Sequence, residues 1–115
     1  MNTIPNRHPD IPTRITLTTP IADLCPHSHE PQPGSTLAIT YDARAELIEL
    51  HGVEAWLQTQ LSEALDLETL CQRAAIAAAA AVGGPVVVEA TYILANNLRL
   101  VCSSSIAPPA IALST

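Results

Sequence analysis

The order of hydrophobic patterns along this 115-residue chain predicts an α+β fold with the order strand, strand, helix, helix, strand, strand. Two early segments alternate apolar and polar side chains, as half-buried strands do. Apolar residues then recur at helical spacing, and two further β-rich segments follow. The simplest way to bury these elements is an antiparallel four-stranded sheet with both helices on one face.

The strands are predicted from alternation and from the residues that bound them. They cover residues 15–19, 35–41, 86–93 and 97–102. Pro20 ends the first strand, because it lacks the N–H that a ladder needs. A turn at residues 95–96 joins the last two.

Two helices are predicted between the strand pairs. The first starts at Glu46, and its apolar stripe is Leu50, Val53, Trp56, Leu57 and Leu61. The second covers residues 66–82, with Asp66 as N-cap and Gly83 as its stop. Its predicted buried stripe is Leu67, Leu70, Cys71, Ala74 and Ala78. Cys71, like Cys102 in the last strand, is therefore expected in the core.

Composition narrows the functional classes. The net charge is −6, lysine is absent, and five arginines face 11 acids, which argues against a chain that holds nucleic acid through phosphate contacts. Without lysine, Schiff-base catalysis and a P-loop are excluded. A core without phenylalanine is thin for a monomer and favours a homo-oligomer.

The domain prediction is a flexible N-terminal arm over residues 1–14 and a single domain over residues 15–115. The apolar run at residues 74–82 is too short to span a membrane, and the first residues do not have the pattern of a signal peptide. We therefore expect a cytoplasmic protein without a membrane partner.

The chemical residues cluster in one proline-rich loop. Cys25 lies there directly before Pro26, and His27, His29 and Glu30 lie between Pro26 and Pro31. Zinc binding is one interpretation, but a structural site needs a fourth ligand, and the other two cysteines, Cys71 and Cys102, lie in segments predicted to be buried, so we predict no metal site. A nucleophilic thiol activated by a histidine is the second interpretation. The third is a small residue at a strand end, beside two solvated histidines.

Three segments resemble the 7-cyano-7-deazaguanine reductase family. Residues 24–31, Leu-Cys-Pro-His-Ser-His-Glu-Pro, are similar to its nucleophile motif. Residues 49–56 fall where the family has its Glu-x-Lys-x-x-Lys-x-aromatic segment, and residues 65–68 fall where it has His-Glu. The resemblance covers about residues 15–102. It implies a tunnelling fold (ββααββ) that oligomerises into a barrel, with Cys25 attacking the nitrile and Glu68 binding the deazapurine edge.

The chain also departs from the family pattern. Gln32 stands in place of a proton-shuttling aspartate and is assigned with Glu68 to substrate binding, and Leu67 replaces a histidine. His27, His29 and Glu30 are the candidates to replace these groups in proton transfer, and His27 and His29 are assigned to catalysis.

The cofactor segment departs as well, because His51 and Glu54 stand in place of its lysines and Glu54 would repel NADPH phosphates. We therefore expect no cofactor, and a closer likeness to the reductase-like branch that converts the nitrile to an amidine, as in archaeosine formation. The substrate would be a small-molecule deazapurine or a nucleic acid carrying it, in queuosine- or archaeosine-type modification. An NADPH-dependent reductase with a diverged cofactor site and a non-catalytic deazaguanine-binding protein stay as alternatives.

Overall fold

The computed structural model describes residues 1–21, 31–60 and 66–107. Within these ranges the elements are β1 (Thr3–Pro5), β2 (Arg14–Pro20), β3 (Thr36–Asp42), β4 (Glu46–Ile48), α1 (Leu50–Gln60), α2 (Leu67–Val82), β5 (Val86–Ile93), a 3-10 turn (Ala95–Asn97) and β6 (Arg99–Ile106). The predicted α+β class is confirmed, and the four predicted strands correspond to β2, β3, β5 and β6.

These four strands form one antiparallel sheet in the order β2-β3-β5-β6. Ile39 lies opposite Leu17 on β2 and opposite Val88 on β5, and Ala90 lies opposite Cys102 on β6. The alternating side chains of neighbouring strands therefore share a face. The helix-facing side is the one that carries the core.

The core lies between this face and the helices. On β5 the buried positions alternate with more exposed ones, and the same alternation runs along β3. Val53 and Leu57 of α1 belong to the same buried cluster as Leu70 and Ala74 of α2. Three buried alanines on α2 give that helix a narrow packing surface, which suits close contact with a sheet. The expected burial of Cys71 is confirmed.

The ends of α2 follow the sequence prediction. Asp66 has extended backbone angles, and its carboxylate accepts a hydrogen bond from the Thr69 N–H at 2.7 Å. Gly83 ends the helix in the left-handed conformation, with φ of 69°, and its N–H donates to the Ala79 carbonyl.

Two predictions near the first helix were wrong. Residues 46–48, expected to be helical, form β4 and pair antiparallel with β1, so part of the expected loose arm is a strand. The Ile48 N–H donates to the Tyr41 hydroxyl at 2.9 Å, and the Glu49 N–H donates to the Asn2 carbonyl. These tertiary partners hold both N–H groups, and α1 begins only at Leu50.

The connection between β5 and β6 is a tight turn. Asn96 and Asn97 both have φ of 62°, a left-handed conformation that asparagine tolerates better than most residues. The Leu94 N–H donates to the Leu98 carbonyl at 2.7 Å and closes the turn. Of the helices in the described ranges, none combines the length and apolar character that a bilayer crossing requires.

Candidate functional site

Glu68 lies in the first turn of α2, two residues after the N-cap, and its side chain is exposed. An acid here is favoured by the helix dipole whatever else it does. The cap hydrogen bond to Asp66 occupies the Thr69 N–H, whereas the Glu68 carboxylate projects from the described surface. This geometry leaves Glu68 available to accept hydrogen bonds from a ligand.

Gln32 lies just before β3, where its backbone is fixed. Its N–H donates to the Ile93 carbonyl at 2.7 Å, and its carbonyl accepts from the Ser35 hydroxyl at 2.8 Å. The same hydroxyl accepts from the Ile93 N–H at 2.8 Å. Ser35 is fully buried, so it satisfies both backbone groups away from water.

A glycine makes this approach possible. Gly34 has φ of 96°, and a Cβ at this position would lie 2.9 Å from the Ile93 Cδ1 atom. Any side chain here would meet a backbone penalty, and the end of the Ile93 side chain would have to shift to admit it. The turn therefore holds residues 32–35 against the end of β5.

The segments carrying Gln32 and Glu68 are attached to adjacent residues of β5. Ile93 binds the Gln32 backbone, and the buried Tyr92 hydroxyl donates to the Leu67 carbonyl at 2.9 Å. The structure thus brings two of the predicted site segments to the same end of the sheet. Sequence patterns alone did not predict the roles of Ser35 and Tyr92, although an isolated tyrosine in an alanine- and valine-rich core is a usable signal for a buried hydroxyl contact.

The predicted nucleophile Cys25 and its companions His27 and His29 lie outside the described residues, and their positions stay predictions. The described flanks of that segment both reach the Ser35 region. The Ile21 N–H donates to the Ser35 carbonyl at 2.9 Å, and Gln32, which follows the fully buried Pro31, accepts from the Ser35 hydroxyl through its carbonyl.

Titratable groups gather beneath the first turn of α2. Burial raises the pKa of the Tyr92 hydroxyl above its ordinary value, and the nearby Cys71, Cys102 and Glu68 raise it further. Burial likewise raises the pKa of the Cys102 thiol, with further contributions from Cys71 and Glu68. Cys102, expected to be a core residue, is only partly buried.

The two residues that replace lysines in the predicted cofactor segment lie on the surface of α1. His51 and Glu54 lie on α1 with exposed side chains, and the His51 Nδ1 is 3.6 Å from the Glu54 Oε2. The described ranges contain no cluster of three or more histidine, cysteine or acidic side chains suited to a metal ion.

A concave surface that was not predicted from the sequence lies at the opposite end of β5. It is an open pocket of about 440 Å³ beside the Arg14–Asp42 ion pair, whose Nε–Oδ1 distance is 3.0 Å. Its other walls come from Thr40, Tyr41, Pro85, Val86, Val87, Ser105, Ile106 and Ala107. Arg14 and Asp42 face each other in the strand register, but only the fold sets that register.

Comparison of the chain with protein-family models and with curated protein sequences gives no match.

Proposed function

We propose that the chain is a tunnelling-fold enzyme that binds 7-cyano-7-deazaguanine, or a nucleic acid carrying it, and attacks the nitrile through Cys25. The supporting observation is the attachment of the Gln32 and Glu68 segments to Ile93 and Tyr92 at one end of β5. This arrangement joins the exit of the cysteine-containing segment to the helix turn that carries the candidate substrate carboxylate.

The proposed chemistry needs few groups. The Cys25 thiol adds across the carbon–nitrogen triple bond, so that sulfur bonds to carbon and a proton reaches nitrogen. Ammonia then attacks the thioimide carbon, and the carbon–sulfur bond breaks to give an amidine and the free thiol. His27 and His29 would move the protons. Glu68 and Gln32 would hold the deazapurine, with both Glu68 oxygens accepting from its N–H groups.

The amidine branch is favoured over NADPH reduction by the surroundings of α1. The Glu54 carboxylate lies where the reductase family has a lysine, and its side chain is exposed on α1. Phosphate binding there would bring like charges together. NADPH oxidation in the presence of the nitrile would support the reductase alternative.

The non-catalytic binding alternative is favoured by Leu67. The family's histidine at this position can move a proton, whereas the Leu67 side chain packs against the core. Tight nitrile binding without adduct or product would support this alternative.

The proposal also includes a homo-oligomer, as tunnelling-fold barrels require. In the described sheet β2 and β6 are the edge strands, and edges of this kind can pair with other copies. A stable monomer in light-scattering gel filtration would argue against a complete active site.

Incubation of the chain with 7-cyano-7-deazaguanine, followed by intact-protein mass spectrometry, tests the central step. We expect a covalent adduct on the native chain and none on Cys25→Ala. Added ammonia should release a product heavier than the nitrile by one ammonia. An adduct that persists in Cys25→Ala, or none on the native chain, would reject the proposal.

Substrate binding is tested separately by calorimetry with the same nitrile. Glu68→Gln should weaken binding by about tenfold or more, because the amide replaces one accepting oxygen with a donor. Glu54→Gln is the matched control, since it removes another exposed helical carboxylate, and it should bind like the native chain. Equal affinities for the two variants would remove Glu68 from the site.

A further inference from the structure

The described ranges contain a pair of thiols that the proposed function does not use. Cys71 is fully buried on α2, and its Sγ lies 3.6 Å from the Cys102 carbonyl oxygen and 3.5 Å from that of Val88. The Cys71 sulfur therefore contacts the backbone of Cys102.

Both side chains lie on the same side of the sheet. Along β6 the partly buried positions alternate with exposed ones, and Cys102 belongs to the partly buried set, opposite the buried Ala90. The Cys102 side chain packs against the core cluster that contains Cys71. A bond between the sulfurs would connect α2 directly to the edge strand β6.

The two thiols differ in access to solvent. Cys102 is partly exposed, whereas Cys71 has no exposed surface. A small oxidant can therefore reach the Cys102 thiol first, because the Cys71 thiol is buried in the interior. This is the division between an attacking thiol and a resolving thiol.

We propose that Cys71 and Cys102 form a reversible dithiol–disulfide site that is oxidised by peroxide. The Cys102 sulfur attacks one peroxide oxygen, the O–O bond breaks, and a sulfenic acid and water result. The Cys71 sulfur then attacks the sulfenic sulfur and displaces its oxygen as a second water. Two electrons pass from the thiols to the peroxide, and both thiol protons end in water.

The raised pKa of Cys102, caused first by burial and then by Cys71 and Glu68, is consistent with a slow reaction at neutral pH. Glu68 contributes to this environment, but the contact of the Cys71 sulfur with Cys102 exists whether or not Cys25 attacks a nitrile.

The chain is well suited to a direct test, because cleavage after its five arginines puts each of its three cysteines in a separate peptide. The folded full-length chain is treated with hydrogen peroxide, remaining thiols are alkylated in denaturant, and the tryptic peptides are identified by mass. We expect the linked peptides 45–73 and 100–115, lighter by two hydrogens and separated again by dithiothreitol. In the folded chain, the Cys71–Cys102 linkage should be about tenfold more abundant than either of the other cysteine pairings. The chain unfolded in urea should give a mixture of the three pairings.

Two variants make the result decisive. Cys25→Ser should retain the linkage, which separates this site from the proposed nucleophile, and Cys102→Ser should abolish it. Disulfides between two chains, a linkage through Cys25, or oxidation of Cys102 beyond the sulfenic acid with Cys71 still reduced would each overturn the proposal. The Cys25→Ser result does not depend on nitrile binding, so either proposal can fail alone.

Discussion

The two faces of the four-stranded sheet differ in almost every physical property. The helix-facing side carries the buried Leu37, Ile39, Val88 and Tyr92. The opposite face consists mainly of threonine, serine, alanine and valine, including Thr16, Thr18, Thr40, Val87, Val101 and Ser103, and it also carries Glu89. On that face Val87 and Val101 are 45% and 59% exposed. No described element covers them.

This difference shows where the fold obtains its stability. Hydrophobic burial is concentrated on one side, where small helical residues let α2 lie close to the sheet. The open face contributes the ladder and short polar contacts, such as the 2.9 Å hydrogen bond between the Thr16 and Thr40 hydroxyls. Substitutions on the two faces should therefore have very different effects, although the residues are neighbours on the same strand.

The largest effect is expected from Ile39→Ala, which removes a fully buried side chain from the centre of β3. The free energy of unfolding should fall by about 3 kcal/mol, because the lost transfer energy adds to that of the cavity. Thr40→Ala is the neighbouring control on the open face and should cost less than about 1 kcal/mol. Urea unfolding followed by circular dichroism measures both. Similar losses for the two variants would contradict the distinction between the faces.

A smaller loss of the free energy of unfolding is expected from Tyr92→Phe. The change keeps the ring but leaves the Leu67 carbonyl without the hydroxyl that donates to it at 2.9 Å. Because Leu67 opens α2 and its carbonyl also accepts within the helix, the loss is that of one part-buried hydrogen bond, about 1 kcal/mol. Thr91→Val removes a hydroxyl from the adjacent position on the other face and should change stability by less than about 0.5 kcal/mol. A neutral Tyr92→Phe would mean that this contact does not hold the start of α2.

Alkaline pH should lower the free energy of unfolding through two tyrosines on the helix-facing side of the sheet. Burial raises the pKa of Tyr92, and less strongly that of Tyr41, above the ordinary value of 10.0. The unfolded chain then loses these protons before the folded chain does, so the stabilisation is complete below pH 10 and declines above it. Each tyrosine adds at most about 1.4 kcal/mol per pH unit to the slope.

Urea titrations from pH 9 to pH 11 test this behaviour. Tyr92→Phe should flatten the decline relative to the native chain. An unchanged slope would show that Tyr92 ionises equally in both states.

The smallest effect concerns the exposed cap of α2 in acid. Hydrogen bonds from Thr69 lower the pKa of Asp66 below its ordinary 3.8, so the cap contributes fully above that pH and is lost as the pH falls through the folded value. Asp66→Asn keeps a capping side chain at neutral pH but does not titrate. Near pH 7 the free energy of unfolding of this variant should match that of the native chain. Between pH 5 and about pH 2 the variant should lose less of that free energy than the native chain does. Identical acid profiles would exclude Asp66 as a source of acid sensitivity.

Sequence patterns predicted the elements that depend on local chemistry. The N-cap at Asp66, the glycine stop at Gly83 and the alternation of β5 all follow from residue type and spacing. The patterns failed at β1 and β4, because these three-residue strands exist only through their pairing with each other. A segment this short has too few residues to show a period.

The sequence by itself determined the α+β class, the boundaries of α2 and the candidate residues Cys25, Gln32 and Glu68. Tertiary structure decided two sets of contacts among the described residues: Ser35 and Tyr92 join two segments at the end of β5, and Cys71 contacts Cys102 across 31 positions of sequence. Local propensity acts over a few residues, whereas these contacts depend on sheet register and helix packing. The register determines which distant groups meet, and a single shift would send every side chain to the other face.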